Sequence, residues 1–176
     1  SLGTSVFAGS HLVRVTFPAG ITELPESTFA NCPALEEVKF LGALTTIYKK
    51  AFQGSGLKEF HIPATVTILK DYVFENSAIE TIEIPASLKE LFIPDSAGQV
   101  KYSYNFRNCQ SLKTVILNEG LDFISHKTFT GCTSLETILI PASVTEIGDE
   151  AFMDCTSLKY VIFATGSRLD TSGKSA

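Results

Sequence analysis

Seven phenylalanines recur along this chain at nearly constant spacing. They are separated by gaps of 22, 23, 22, 32, 23 and 23 residues, and they are Phe7, Phe29, Phe52, Phe74, Phe106, Phe129 and Phe152. A fixed period in the range of roughly 20 to 50 residues is typical of solenoids, in which each repeat is one structural unit that packs on the next. The chain is therefore predicted to fold as a stack of similar coils, with one phenylalanine in each coil.

An apolar pattern of the form L-x-x-V-x-I follows each phenylalanine after a short turn. In the sixth repeat it reads Leu135, Ile138 and Ile140. The last two apolar positions are two residues apart, which places both side chains on the same face of a β-strand. Proline often comes next, as at Pro141, and ends the strand because it has no amide hydrogen. The pattern predicts a parallel sheet of about seven short strands.

A second apolar pair stands before the next phenylalanine, as at Val144 and Ile147. The segment that follows carries Asp149 and Glu150 just before Phe152. Acidic residues are favoured near the start of a helix by the helix dipole, so one short helical turn is predicted there. Each unit is then a strand, a turn, a second extended piece and a short helix.

The repeat is clearest between Ile140 and Ile162, where the sequence reads IPASVTEIGDEAFMDCTSLKYVI. It resembles the BspA-like leucine-rich repeats found in surface proteins of oral and gut bacteria and of some mucosal protists. The resemblance extends from Ser1 to about Phe163. It implies an α/β repeat solenoid, a right-handed leucine-rich-repeat superhelix with its parallel sheet on the concave face and short helices or turns on the convex face. It also implies a cell-surface protein with adhesive or protein-binding repeats.

Two parts of the chain depart from the repeat. The 32-residue gap predicts an insertion near residues 92–102, which is either a recognition loop or a tolerated surface excursion. Residues 1–163 are predicted to form the repeat domain, and residues 164–176 a polar tail or linker. The chain starts inside a repeat, without Met and without a signal peptide. We therefore expect a fragment of a longer protein, or a mature extracellular or cell-surface chain whose signal peptide was removed.

The composition argues against two classes of partner. The net charge of −5 provides no basic field, which argues against general nucleic-acid binding. No apolar stretch reaches the length of a membrane span, so no membrane insertion is predicted for this segment.

The four cysteines all stand three residues after the repeat phenylalanine, where the other repeats have serine. They are Cys32, Cys109, Cys132 and Cys155, and the serines are Ser10, Ser55 and Ser77. Equivalent side chains of stacked coils point the same way, which is poor geometry for a disulfide and does not surround a metal ion tetrahedrally. We interpret the cysteines as small buried side chains under the turn, and predict no metal site and no cofactor.

No catalytic constellation is apparent in the sequence. His11, His61 and His126 occupy different positions of the repeat, so they are not expected to converge. Neighbouring carboxylates such as Glu36 and Glu37 would point to opposite sides of a strand. An enzyme is therefore not predicted.

The outward strand positions are the candidate binding surface. In the first four repeats they carry charged residues and a histidine, whereas in the last three they form an apolar strip of Thr114, Ile116, Thr137, Leu139, Tyr160 and Ile162. Contiguous exposed apolar surface marks an interaction site in many soluble proteins, so these six residues are the hypothetical ligand-binding site. Two alternatives compete: β-branched residues favour strands wherever they fall, and the tail or a neighbouring domain covers the strip.

The function predicted from these observations is extracellular protein binding or adhesion by a bacterial cell-surface protein, through the concave sheet face. The partner would be a protein, for instance a host-surface or extracellular-matrix protein. The alternatives are a structural spacer that displays another domain, and a carbohydrate-binding module, although only Tyr160 offers a ring on the strand face. The uncapped first strand can also pair with a second copy in a weak homodimer.

Overall fold

The computed structural model describes residues 1–88, 91 and 102–169, and over these ranges the chain forms two series of short strands. The longer strands are β1 (Arg14–Phe17), β3 (Glu37–Phe40), β5 (Glu59–His61), β7 (Thr81–Ile84), β8 (Thr114–Leu117), β10 (Thr137–Ile140) and β12 (Tyr160–Phe163). The two-residue strands are β2 (Glu23–Leu24), β4 (Thr46–Ile47), β6 (Ile68–Leu69), β9 (Phe123–Ile124) and β11 (Glu146–Ile147).

All strand pairs are parallel and join neighbouring coils, as the repeat predicts. Thr137 lies opposite Tyr160, and Ile140 lies opposite Phe163, so equivalent repeat positions are in register. The longer strands are hydrogen-bonded in three groups, β1–β3, β5–β7–β8 and β10–β12. β3 lies beside β5, and β8 lies beside β10, without ladder hydrogen bonds between them. The predicted parallel sheet of seven short strands is confirmed, with these two interruptions.

The longer strands β7, β8 and β10 alternate between the core and the exposed face. In β10, Ile138 and Ile140 are buried, whereas Thr137 and Leu139 are exposed. The two-residue strands close the other side of each coil, and their apolar pairs, such as Leu121 with Ile124, are buried as well. The core is thus enclosed between the two series of strands and runs continuously through the coils.

The repeat phenylalanines form one continuous column inside the solenoid. The rings of adjacent coils are stacked with centroids 5.2 to 5.5 Å apart, from Phe7 to Phe152. Phe74 and Phe106 keep this geometry, at 5.4 Å and 7° between planes, although 32 residues separate them in the sequence. The insertion therefore leaves the stack intact. Such ring pairs add roughly 0.5–1.5 kcal/mol each beyond the burial of their area.

The predicted short helix before each phenylalanine is wrong, because the described residues contain no helix there and the chain runs through successive turns. In every coil the backbone is left-handed at two positions, two residues before and two residues after the phenylalanine. The first set is Ser5, Ser27, Lys50, Tyr72, Tyr104, Lys127 and Glu150, and the second is Gly9, Asn31, Gly54, Asn76, Asn108, Gly131 and Asp154. Residues with positive φ interrupt a right-handed helix at each of these points.

Hydrogen bonds to the next coil explain why the turns replace a helix. In the sixth coil the amide of Lys127 donates to the Asp149 carbonyl at 3.1 Å. The amides of Phe129 and Gly131 donate to the following coil at 2.9 and 2.8 Å. These amides would bond within their own segment in a helix. The turns instead form a third ladder along the solenoid, and this ladder offsets the strain of the left-handed residues.

Gly131 shows how tightly the coils approach at this ladder. Its φ is +76°, and a Cβ atom added there would collide with Oδ1 of Asn108 in the preceding coil. Glycine removes both the conformational strain and the collision. The same repeat position carries Asn in other coils, which is the residue other than glycine that best tolerates positive φ.

The long fourth coil is closed by a buried asparagine. Residues 92–101 of the predicted insertion lie outside the described residues, so that part of the prediction remains open. Beyond it, the side chain of Asn105 is fully buried: its Oδ1 accepts from the Val73 amide at 3.0 Å, and its Nδ2 donates to the Leu91 carbonyl at 3.2 Å. Asn105 therefore ties the two sides of the long coil to the regular stack.

Candidate functional site

The six residues predicted as a binding site are brought together on the exposed face of β8, β10 and β12. All six are exposed, and the large side chains are open to solvent over about half of their surface: Ile116 45%, Leu139 52%, Tyr160 62% and Ile162 50%. We call Thr114, Ile116, Thr137, Leu139, Tyr160 and Ile162 the apolar strip.

Strand alternation and register position the strip. Ile138 lies between Thr137 and Leu139 and is buried, so it holds both neighbours outward. The pairing of β10 with β12 sets Leu139 directly beside Ile162. The strip therefore has two parallel columns, a threonine and tyrosine column and an aliphatic column.

A row of alternating charges borders the first of these columns. Its members precede the outward strand position by one residue and are Glu36, Lys58, Glu80, Lys113, Glu136 and Lys159. Glu80 contacts Lys113 at 2.9 Å and Lys58 at 3.3 Å, and Lys159 contacts Glu136 at 3.6 Å. Hydrogen bonds from Lys113 and Lys58 lower the pKa of Glu80 below its usual value. These exposed pairs contribute little stability, but they neutralise the charge beside the strip.

The face of the first strands is polar and forms a shallow depression of about 760 Å³ between β3 and β5. Its charges are largely paired: Arg14 lies 3.3 Å from Glu36, and Lys39 lies 2.7 Å from Glu37. The hydrogen bond from Lys39 lowers the pKa of Glu37. This half of the face has no apolar column comparable to that of the strip.

Two carboxylates on this face have no cationic partner among the described residues. Glu59 on β5 is exposed and takes part in no ion pair there. Glu83 on β7 accepts a hydrogen bond from the neutral Asn118 amide at 2.8 Å. Glu83 is in register with Ile116 of the strip, so an uncompensated negative charge lies next to the aliphatic column.

The described part of the tail leaves the strip open. The amide of Ala164 donates to the Ile140 carbonyl at 2.9 Å, and Arg168 donates to the carbonyls of Ala142 and Ser143. Leu169 packs against the core beyond them. Residues 164–169 therefore continue along the side of the last coils, away from Leu139.

The cysteines are free and buried, and each thiol has a backbone partner. Every Sγ donates to the carbonyl of the repeat phenylalanine one coil earlier: Cys32 to Phe7 at 3.0 Å, Cys109 to Phe74 at 3.0 Å, Cys132 to Phe106 at 3.1 Å and Cys155 to Phe129 at 3.2 Å. Burial raises the pKa of Cys109 to about 12. The buried thiols predicted from the sequence are confirmed, whereas their hydrogen bonds were not foreseen.

The histidines lie in three different coils. His11 and His61 are exposed, and Nδ1 of His126 accepts a hydrogen bond from the Asp149 amide at 2.8 Å. In the part of the chain that the structure describes, no three metal-ligating side chains are grouped to hold an ion. The described residues also contain no helix that is long and apolar enough to span a bilayer.

A row of aromatic side chains on the turn side was missed by the sequence reasoning. Tyr72 stacks on Tyr104 with centroids 4.8 Å apart, Tyr104 on Tyr102 at 5.7 Å, and Tyr102 lies 5.2 Å from His126. Arg107 lies over Tyr104 at 5.5 Å. The rings therefore contact one another, although Tyr102 is also exposed to solvent. The signal was the tyrosine at the same repeat position in two successive coils.

Comparison with known proteins agrees with the repeat architecture. The family model described as "BspA type Leucine rich repeat region" matches the chain in six copies, over residues 1–97 and 86–176. No protein with a curated description matches the chain by sequence.

Solved structures of leucine-rich-repeat proteins are similar to the chain. A protein from Eubacterium ventriosum has a TM-score of 0.55 at 16% identity, covering 91% of this chain and 55% of that one. The pneumococcal vaccine antigen PcpA has a TM-score of 0.46 at 19% identity, with 89% and 52% covered. A leucine-rich cell-surface protein from Faecalibacterium prausnitzii has a TM-score of 0.36 at 20% identity, with 92% and 64% covered. The chain thus spans between half and two thirds of their lengths, and the similarity concerns the fold.

Proposed function

Because this chain belongs to the BspA-type leucine-rich-repeat family, we propose that it is a protein-binding repeat domain of a bacterial cell-surface protein. The partner docks on the exposed face of the longer strands, at the apolar strip. The proposal extends beyond the family and the fold, since a repeat fold does not dictate an activity.

One observation carries the proposal: the aliphatic column stays about half exposed across three consecutive coils. Removing the exposed part of Ile116, Leu139 and Ile162 from water contributes on the order of 1 kcal/mol for each side chain. Tyr160 adds a ring with a polar end, which is typical of residues that dominate binding energy at protein interfaces. The paired charges beside the strip form a polar rim.

The test is a strip variant compared with a matched variant on the same face. The double variant Leu139→Lys and Tyr160→Lys introduces two charges into the proposed interface, where they must lose their hydration on binding. Both side chains are exposed, so the melting temperature should change by no more than about 2 °C. Binding to a panel of purified extracellular-matrix and host cell-surface proteins is measured by surface plasmon resonance.

At least one member of the panel should bind the wild-type chain, and the strip variant should bind it at least tenfold more weakly. The control variant Thr16→Lys changes an exposed outward position on β1, four coils away from β8, and should bind normally. Undiminished binding by the strip variant, or binding of no panel member to the wild-type chain, would contradict the proposal.

A further inference from the structure

The spacing of the coils is close to the pitch of an α-helix, since it runs from about 4.8 Å between paired strands to 5.2–5.5 Å between stacked rings. The ring centroids of Phe106 and Phe129 are 5.3 Å apart, and those of Phe129 and Phe152 are 5.4 Å apart. An α-helix rises about 5.4 Å per turn. A helix that lies parallel to the solenoid axis therefore advances by one turn for each coil.

This match favours a helix over a strand as the segment that covers the strip. Side chains on one face of a helix recur at i, i+3 or i+4, and i+7, so three of them stay in step with Ile116, Leu139 and Ile162. Side chains on one face of an extended segment recur every ~6.8 Å. Such a segment along the axis is about 3–4 Å out of step after two coils, whereas a helix is out of step by no more than about 1 Å.

The charges next to the strip specify one end of that helix. Going from the aliphatic column toward the first coils, the next outward side chain in register with Ile116 is Glu83. Among the described residues, Glu83 accepts a hydrogen bond from the neutral Asn118 amide and forms no ion pair, and Glu59, one coil further, forms no ion pair either. The charged residues beside the strip already form ion pairs with one another. Glu83 and Glu59 are therefore the carboxylates on this face that can form an ion pair with a ligand.

We propose that the partner docks as an amphipathic α-helix laid along the solenoid axis. Its apolar side chains at i, i+3 or i+4, and i+7 cover Ile116, Leu139 and Ile162. A Lys or Arg three or four residues beyond the apolar stripe pairs with Glu83. The proposal rests on the proposed function and specifies the chemistry of the partner at that same site. The cationic end sets the direction in which the helix lies and raises its association rate, and it adds less to the affinity.

A peptide selection tests this geometry even while the natural partner is unidentified. A display library of random 18-residue peptides is selected on the wild-type chain and depleted on the Leu139→Lys variant. Enriched sequences should carry apolar residues with a period of 3.5 to 4, followed by Lys or Arg one turn beyond the stripe. A synthetic peptide of the enriched consensus should become helical by circular dichroism when the chain is added.

The role of Glu83 is tested with the same consensus peptide. The Glu83→Gln variant should bind it about three- to fivefold more weakly in 50 mM salt, and its affinity should depend less on salt. Glu23→Gln serves as the matched control, because Glu23 is an exposed carboxylate on β2, outside the binding face. Equal affinity of the wild-type chain and the Glu83→Gln variant would overturn the assignment of the cationic end.

The outcomes separate this inference from the proposed function. If the enriched peptides bind through Leu139 but carry apolar residues with a period of two, the partner is extended rather than helical. That result would overturn the inference and leave the strip as a binding site. If the only peptides that bind the wild-type chain are ones that the Leu139→Lys variant also binds, or if none bind, the inference is overturned, and with it the strip as the binding face.

Discussion

At the scale of single residues, the thiols link each coil to the one before it. The Cys109 Sγ donates to the Phe74 carbonyl at 3.0 Å and also lies 3.6 Å from Oγ of Ser77, its equivalent in the preceding coil. Serine takes the same repeat position in coils whose turn is one residue shorter. Cysteine and serine are therefore alternatives at one buried position, and the thiol group acts as a packed hydrogen-bond donor.

Alkaline pH should reveal the buried thiol of Cys109. Burial raises the pKa of Cys109 to about 12, whereas an exposed thiol has a pKa of about 8.5. The folded state holds this proton more tightly, so its contribution to stability is complete below pH ~8.5 and is lost as the pH rises toward 12. The free energy of unfolding, measured by urea titration from pH 8 to 10.5, should therefore fall with pH.

The Cys109→Ser variant is the matched control for this pH dependence, because serine occupies the equivalent position in other coils and does not titrate. Its stability should fall less steeply than that of the wild-type chain between pH 8.5 and 10.5. Identical slopes for the two proteins would show that this thiol is ionised as easily in the folded state as in the unfolded state.

At the scale of the structural element, each coil is organised around its phenylalanine ring. The rings of interior coils contact a ring above and a ring below; Phe129, for example, stacks with Phe106 and with Phe152. Around that ring, the longer strand, the two-residue strand and the turns each bond to the next coil. No coil can bury its own ring alone, so the element is stable only as part of a stack.

Removal of an interior ring should cost more than removal of a terminal one. Phe129→Ala deletes a fully buried ring from between two neighbours and should lower the free energy of unfolding by about 3–5 kcal/mol. Phe152 is only partly buried and stacks on one neighbouring ring among the described residues, so Phe152→Ala should cost clearly less. Chemical denaturation of both variants provides the measurement. An equal loss in the free energy of unfolding would contradict the claim that each interior ring is stabilised by a neighbour on both sides.

At the scale of the whole molecule, the chain behaves as a one-dimensional stack. Contacts join each coil to its neighbours, and within the described residues the first and the last coil each contact a coil on one side. In β12 all four residues are exposed, including Val161 and Phe163, whose equivalents in β7, β8 and β10 are buried. Stability should therefore fall from the interior coils toward both ends.

Hydrogen exchange measured residue by residue should show this gradient. The Phe74 amide donates to the Asn105 carbonyl at 2.9 Å within the interior, and the Phe7 amide donates to the Thr28 carbonyl at 3.1 Å in the first coil. Because the outer coil can open without disrupting the rest, the Phe7 amide should exchange at least a hundredfold faster than that of Phe74. Equal protection of the two amides would indicate that the solenoid opens only as a whole.

The column, the strands and the strip could all be predicted from the amino-acid sequence. Rings at equal intervals, such as Phe52 and Phe129, can only be buried by stacking coils in register, and two-residue alternation around Ile138 decides which side chains face outward. These features follow from local spacing and the hydrophobic effect, which a single sequence displays directly.

Only the tertiary structure decided the path of the turns and the aromatic row. The backbone at Lys127 is left-handed, and its amide bonds to the Asp149 carbonyl in the next coil. Nothing in the neighbouring sequence, which reads Ser-His-Lys-Thr-Phe over residues 125–129, announces that bond. Tyr72 and Tyr104 meet although 32 residues separate them, because the insertion leaves the register of the coils unchanged. In both cases the decisive contact joins neighbouring coils, and its energy outweighs the preference of the segment alone.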